Sequence, residues 1–479
     1  MLFNSIAFLL FLPAVVGLYF ILPHRFRWIW LLAASCYFYM YFIPLFILII
    51  FFTIIIDYFS GILIEKKSGE KRKTFLILSL ISNIGVLAVF KYYNFFVSGF
   101  DAALNTIGIH NSLPALSIIL PVGLSFHTFQ AMSYNIEIYR GRQKAERHFG
   151  IYSLYIMFFP QMVAGPIERP QHMLHQFHEK HFFETEQIYS GLRLILVGML
   201  KKVVLADRLA PLANNVFDSP HSYPGIASII GVIAFSLQIY YDFSGYTDIA
   251  RGSARMMGFK LMHNFNMPYL SRTIREFWKR WHISLSTWFR DYLYIPLGGN
   301  RVSAARIYFN LLIVFLISGL WHGASRMFVI WGALHFIYYA FSISTESIRN
   351  KINSLTGLSK LPSLHNAIKV LITFSIVSFA WIFFRAASTQ DALYIITHLL
   401  PKSGYEHLLP KGRVEVGIVF TLVLIYEVLS YYISKVYLKK HSWDDVKIAV
   451  RWILYIAAIL IILNFGMFQS RNQFIYFQF

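Results

Sequence analysis

Residues 307–338, IYFNLLIVFLISGLWHGASRMFVIWGALHFIY, hold two apolar runs joined by a short turn, WHGA. Arg301 and Arg306 precede the first run, and Asn350 and Lys351 follow the second. Flanking polar and basic residues of this kind place both ends of a hairpin on one side of a membrane. The first arm, read as 307–320, has about 14 residues and climbs about 21 Å at 1.5 Å per residue, short of a full crossing of about 30 Å. His322 is therefore expected deep in the apolar layer, between Gly319 and Gly323, which allow backbone or substrate to come close. An ionisable group at that depth points to function, and imidazole is suited to proton transfer near neutral pH. A structural histidine bonded to neighbouring helices is the competing reading.

The rest of the chain agrees with a membrane setting. Of its 479 residues 57% are hydrophobic and 14% charged, and the mean hydropathy is +0.54. Those values lie outside the soluble globular range. Aromatic residues make up 18% of the chain, more than interfacial belts require, so many are expected inside the bundle. The formal charge of +20 would suggest nucleic acid in a soluble protein, but here the bases cluster between apolar runs. At 66–73, 140–147, 272–280, 301–306, 350–360 and 435–440 they mark cytoplasmic loops, and nucleic-acid binding is set aside. Cys36 is the sole cysteine, which excludes an intrachain disulfide. The N-terminal run MLFNSIAFLLFLPAVVGLYFIL lacks a basic leader and a cleavage motif, and reads as a retained first span.

Candidate spans begin near Ser5, Trp28, Pro44, Thr74, Leu113, Ile226, Ile307, Met327, Ala367, Val414 and Trp452. Residues 151–167, broken by Pro160, Gly165 and Pro166, read as a re-entrant segment. Residues 188–206 are ambiguous. Residues 269–299 mix Arg, Lys and Trp in a manner suited to helices at the interface or roofing a cavity. The expected fold is an all-α polytopic membrane protein, one domain over 1–479 with about 11–14 membrane elements.

Further candidate site residues lie in three stretches. His282 stands in KRWHISLSTW beside Lys279, Arg280 and Trp281, a setting fit for a phosphate-bearing group, although interfacial basic-aromatic helices form without any ligand. Asp242 and Asp248 sit in QIYYDFSGYTDIARG, where they could serve as acid and base, but Asp248 and Arg251 are also spaced for a structural ion pair, which is favoured. His172, His175, His178 and His181 recur every third residue, which drifts about 60° per step and prevents all four from sharing one helical face. With no cysteine nearby the segment reads as a solvated interfacial loop, and no metal site is expected. No phosphate loop, serine-hydrolase elbow or zinc-protease motif occurs.

With these residues in hand, the chain resembles the membrane-bound O-acyltransferases, within the bacterial branch serving alginate and peptidoglycan O-acetylation and teichoic-acid D-alanylation. The resemblance rests on PVGLSFHTFQAMSYNIEIYRG at 121–141, FFPQMVAGPIERP at 158–170, QIYYDFSGYTDIARG at 238–252, EFWKRWHISLSTWFRDYLYIPLGGNR at 276–301 and GLWHGASRMFVIWGALH at 319–335. It implies a funnel-shaped helical bundle with re-entrant and interfacial helices, His322 as the catalytic histidine and His282 as the second motif histidine. Trp321, Trp281, Lys279, Arg280, Asp242 and Asp248 are then the residues expected to bind substrate. No bound cofactor is implied; acetyl-CoA is the expected cytoplasmic acyl donor. An extracytoplasmic partner of SGNH esterase fold is expected to place the acetyl group on a polysaccharide, with the chain itself in the bacterial inner membrane among its lipids.

The C-terminal NQFIYFQF, residues 472–479, fits an F-x-Y-F-x-F pattern that in related systems looks like an acyl-accepting element. A phenol with a pKa of about 10 is easier to deprotonate than an aliphatic alcohol, so Tyr476 is a relay candidate, on a C-terminus that the span count puts outside. An interfacial aromatic anchor is the plainer alternative. D-alanyl transfer from a carrier protein, and transport without bond chemistry, stay open beside O-acetylation.

Overall fold

The computed structural model describes residues 1–108, 121–163, 165–400, 413–433, 443–468 and 474–475. Among the described residues every regular element is helical. Seven helices are long and apolar enough to cross a membrane: Phe46–Lys66, Gly69–Asp101, Ile226–Met256, Ala304–His322, Arg326–Ser344, Pro362–Arg385 and Ile448–Phe465. Helices Ile6–Ile21, His24–Met40 and Arg413–Tyr431 fill three more of the predicted spans. The span expected from Leu113 lies largely outside the described residues.

The chain divides into two compact units, the first made of Met1–Leu192 and Ala250–Phe374 and the second of Arg193–Ile249 and Ser375–Gln478. In the first unit, helices Phe46–Lys66, Gly69–Leu87 and Leu124–Tyr139 pack on one another. Their contact is organised by Asp57, whose fully buried carboxylate accepts from Ser79 Oγ at 2.6 Å, Asn83 Nδ2 at 2.9 Å and Asn135 Nδ2 at 3.0 Å. A buried carboxylate is tolerable only when its lone pairs are taken up. Two neutral donors from Gly69–Leu87 and one from Leu124–Tyr139 do most of that, so the cluster ties three helices together.

The broken segment behaves as its prolines and glycine require. Helix Phe149–Met157 is buried along nearly its whole length, a single turn Phe159–Met162 follows, and residues 166–169 lead without regular structure into the helix at Pro170. A helix buried all round needs no polar face. The histidine-rich stretch departs from the loop expected of it. Pro170–His178 is a short helix with Pro170 in its first turn, burying Met173, Leu174 and Phe177. Its histidines go separate ways, His172 to Glu168 at 2.7 Å and His178 to Glu146 at 2.8 Å, and no metal-binding group occurs among the described residues.

In the second unit the ambiguous stretch near 188–206 resolves into helix, with a π-helical turn over Leu200–Ala206. The wider turn carries the consecutive Lys201 and Lys202. Lys201 Nζ lies 2.5 Å from Asp248, and Lys202 Nζ lies 2.7 Å from Asp242 and 2.9 Å from Asp207. The two carboxylates singled out in the sequence are thus partners of lysines, six positions apart on one helix and facing different ones. The C-terminal tail joins this network, because the Ile475 amide donates to Asp242 Oδ2 at 2.7 Å and Phe474 packs on Phe243 and Tyr246.

Candidate active site

The hairpin forms as its two apolar runs require. Helices Ala304–His322 and Arg326–Ser344 pack closely along their lengths, and Ser325 starts the second by accepting from the Met327 amide. Glycine permits the close approach at two positions: a Cβ on Gly319 would collide with the Phe328 carbonyl, and one on Gly332 with the Phe315 carbonyl. The first arm differs from its predicted length. It has 19 residues, not about 14, and so climbs about 28 Å. A short arm therefore does not explain where His322 sits. His322 closes a helix long enough to span, and it is the protein that buries it, to 5% exposure.

What surrounds His322 is aromatic. Trp321 lies 4.9 Å away ring to ring and Trp331 5.1 Å, the latter nearly edge on. Trp321 in turn stacks on Phe129 at 5.4 Å and meets Phe126 edge to face at 5.6 Å. His282 also belongs to this shell, its ring centre 6.2 Å from that of Trp321. The structure thereby brings together the two histidines that the sequence placed 40 positions apart, both beside the same tryptophan.

The geometry at His282 is unusual in its backbone as well. It joins the short helices Ile274–Arg280 and Ile283–Phe289 with a φ of 40°, in the left-handed region that a residue bearing a side chain seldom adopts. Strain of that kind persists where the surroundings hold it, commonly at functional sites. Here the Ile283 amide donates to the Asn264 carbonyl at 2.9 Å, the Ser284 amide donates to Asn264 Oδ1 at 3.3 Å, and Ser284 Oγ accepts from the Ile167 amide at 3.0 Å. Burial pushes the His282 imidazole down to about 3, which keeps the ring neutral across physiological pH. A neutral imidazole can accept a proton or a hydrogen bond, as an imidazolium cannot.

The other predicted site residues are dispersed. Trp281 packs on Phe265, Phe277 and Tyr269, and Phe277 links it through His335 to Trp331. Lys279 is exposed, and Arg280 pairs with Glu276 at 2.5 Å. Asp242 and Asp248 belong to the lysine network of the second unit. Tyr476 lies outside the described residues.

Sequence reasoning missed two ionisable groups beside this site. His335, fully buried, packs 4.7 Å from Trp331 and 4.9 Å from Trp278. Lys91 Nζ donates to the Trp321 carbonyl at 2.7 Å. The one sequence signal for each is a lone ionisable residue in an apolar run, a signal that a side chain snorkelling to the interface gives as well.

A pair of buried histidines held around a tryptophan by a glycine-packed hairpin can be compared with known proteins. The membrane-bound O-acyltransferase family model matches residues 124–389, which include both histidines. The chain belongs to that family. It is a multi-pass membrane O-acyltransferase. A protein of Pseudomonas aeruginosa named "Probable alginate O-acetylase" is 38% identical over 438 residues, covering 90% of this chain and 81% of its own length. The peptidoglycan O-acetyltransferase of Helicobacter pylori is 35% identical over 441 residues, covering 84% of this chain and 80% of its own. The teichoic acid D-alanyltransferase of Bacillus subtilis is 28% identical over 285 residues, covering 57% of this chain and 70% of its own.

Proposed function

We propose that this membrane O-acyltransferase takes an acetyl group from acetyl-CoA on the cytoplasmic side and makes it available for O-acetylation of an extracytoplasmic polysaccharide such as alginate or peptidoglycan. The observation that carries the reading is the burial of His322 and His282 beside Trp321 in a chain whose matches include proteins named for alginate and peptidoglycan acetylation. His322 is the general base. It takes the proton of an attacking hydroxyl while the hydroxyl oxygen bonds to the thioester carbonyl carbon. The carbon–sulfur bond then breaks, and the proton passes to the departing thiolate, leaving an acetyl ester and free CoA thiol. An apolar, water-poor surrounding protects the thioester from hydrolysis during the step.

Tyr476 is the first hydroxyl to accept the acetyl group, and its phenyl ester stays activated for onward transfer. Support comes from the residues just before it: Phe474 and Ile475 are buried, and the Ile475 amide is bonded to Asp242. A tail held in this manner differs from a loose interfacial anchor. An extracytoplasmic partner of SGNH esterase fold then moves the acetyl group to the polysaccharide. The protein sits in the bacterial inner membrane, with its C-terminus outside.

The test uses the purified full-length protein with radiolabelled acetyl-CoA, measuring thiol release and mapping label to peptides. Label is expected on the peptide that contains Tyr476, and is absent in Tyr476→Phe. Activity retained in Tyr476→Phe without label there ends the relay; thiol release retained in a folded His322→Ala ends the general-base assignment. No turnover of acetyl-CoA, with turnover of a D-alanyl carrier protein, replaces acetylation by D-alanyl transfer.

A further inference from the structure

The last turn of any α-helix leaves carbonyl oxygens without partners inside the helix. In Ala304–His322 that turn carries His322, so whatever satisfies those carbonyls also fixes the imidazole. Two consecutive residues from a different helix do this. Lys91 Nζ donates to the Trp321 carbonyl at 2.7 Å, and Tyr92 Oη donates to the Leu320 carbonyl at 2.6 Å. Both stand at the end of a π-helical turn, Ala88–Tyr92, that interrupts the long apolar segment Gly69–Asp101. A π turn inserts an extra residue into the helical rotation and is frequent at functional sites. Here it aims neighbouring side chains at neighbouring carbonyls.

Packing alone gives no reason for a lysine at this place. Its ammonium is 5.9 Å from the Trp321 ring centre, and among the described residues no carboxylate pairs with it. A charge in an apolar span is unfavourable unless something compensates for it. One carbonyl, one ring face and the negative end of a helix dipole compensate in part. All three belong to the helix that ends in His322, and the ring belongs to the tryptophan that neighbours both His322 and His282.

We propose that Lys91, with Tyr92, is a positioning residue for His322, clamping the final turn of its helix so that the imidazole is held in reacting geometry. The inference rests on the reading of His322 as the general base. A displacement of about 1 Å in such a group costs about 100-fold in rate.

The experiment measures acetyl-CoA thiol release by the full-length protein in detergent, as separate kcat and KM values, with thermal unfolding as the control for folding. Lys91→Met is expected to lower kcat about 100-fold with KM for acetyl-CoA within about twofold and a preserved unfolding midpoint. Lys91→Arg keeps a donor and a charge and is expected to recover most of kcat. Tyr92→Phe removes the neighbouring bond alone and is expected to lower kcat about tenfold. A folded Lys91→Met with kcat within about twofold of the parent overturns the proposal, as does a raised KM at unchanged kcat, which would make the lysine a donor-binding group. Should Lys91→Met not fold, an unchanged kcat in Tyr92→Phe overturns the clamp and a fall at constant KM sustains it. His322→Ala is run alongside: if it stays active the general-base reading itself fails, an outcome separate from loss of the clamp.

Discussion

The two units bury polar groups by opposite means. Around His322 and His282 the neighbours are Trp321, Trp331, Phe126 and Phe129, and His282 is held neutral by its burial. In the second unit the buried groups are charged and matched: Lys202 lies between Asp207 and Asp242, and Lys201 against Asp248. A neutral imidazole among aromatic rings can still accept a proton. A lysine fixed between two carboxylates is held by charge and serves cohesion. The difference is between burial of neutral rings in aromatic packing and burial of matched charges in a network that also takes in Ile475.

The contrast can be broken by mutation, and the largest effect is expected at His322. His322→Ala should lower acetyl-donor turnover about 1000-fold, about 4 kcal/mol of transition-state stabilisation, with an unfolding midpoint close to the parent's. Lys202→Met should do the reverse. With two carboxylates left in a site where the lysine side chain is only 1% exposed, it should cost about 3–5 kcal/mol of stability, read as a lowered unfolding midpoint in detergent before any catalytic effect. Equal loss of stability in the two variants would erase the distinction. Gly319→Ala lies between the two cases, since its Cβ meets the Phe328 carbonyl: the hairpin must part, costing about 1–3 kcal/mol and lowering kcat together with the midpoint.

The smallest effect concerns pH. The hydrogen bond that His172 makes to the Glu168 carboxylate raises the imidazole above the ordinary histidine value, and partial burial opposes it. A histidine raised on folding gives its full stabilisation below about pH 6.5 and loses it as pH rises through the folded-state value. Unfolding midpoints measured from pH 6 to 8 should therefore fall less steeply in His172→Ala than in the parent. An identical slope would show that the Glu168–His172 bond has no part in the folding equilibrium.

The hairpin was legible because WHGA interrupts an apolar run and glycines stand on both sides of it. Its first arm was read too short because Ala304, Ala305 and Arg306 are weakly apolar or charged, and helix geometry continues through them. The histidines 172–181 were read as a loop because the polar residues among them hide Met173, Leu174 and Phe177, which the helix buries. Lys91 and His335 escaped attention for a different reason. Their runs are so apolar that a single ionisable residue leaves the pattern of a span intact, and nothing local distinguishes it from one snorkelling to the interface.

Sequence by itself determined the helical membrane architecture, the family and the two motif histidines, because hydropathy, glycine placement and ordered motifs are local properties of the chain. Tertiary structure decided what no local property contains. It set His282 and His322 beside Trp321, packed Trp281 on Phe277, matched Asp242 and Asp248 to lysines, and brought Lys91 to the end of a helix 230 residues away. Periodicity reports which face of a helix is apolar; which foreign side chain meets its last carbonyl depends on how separate helices pack.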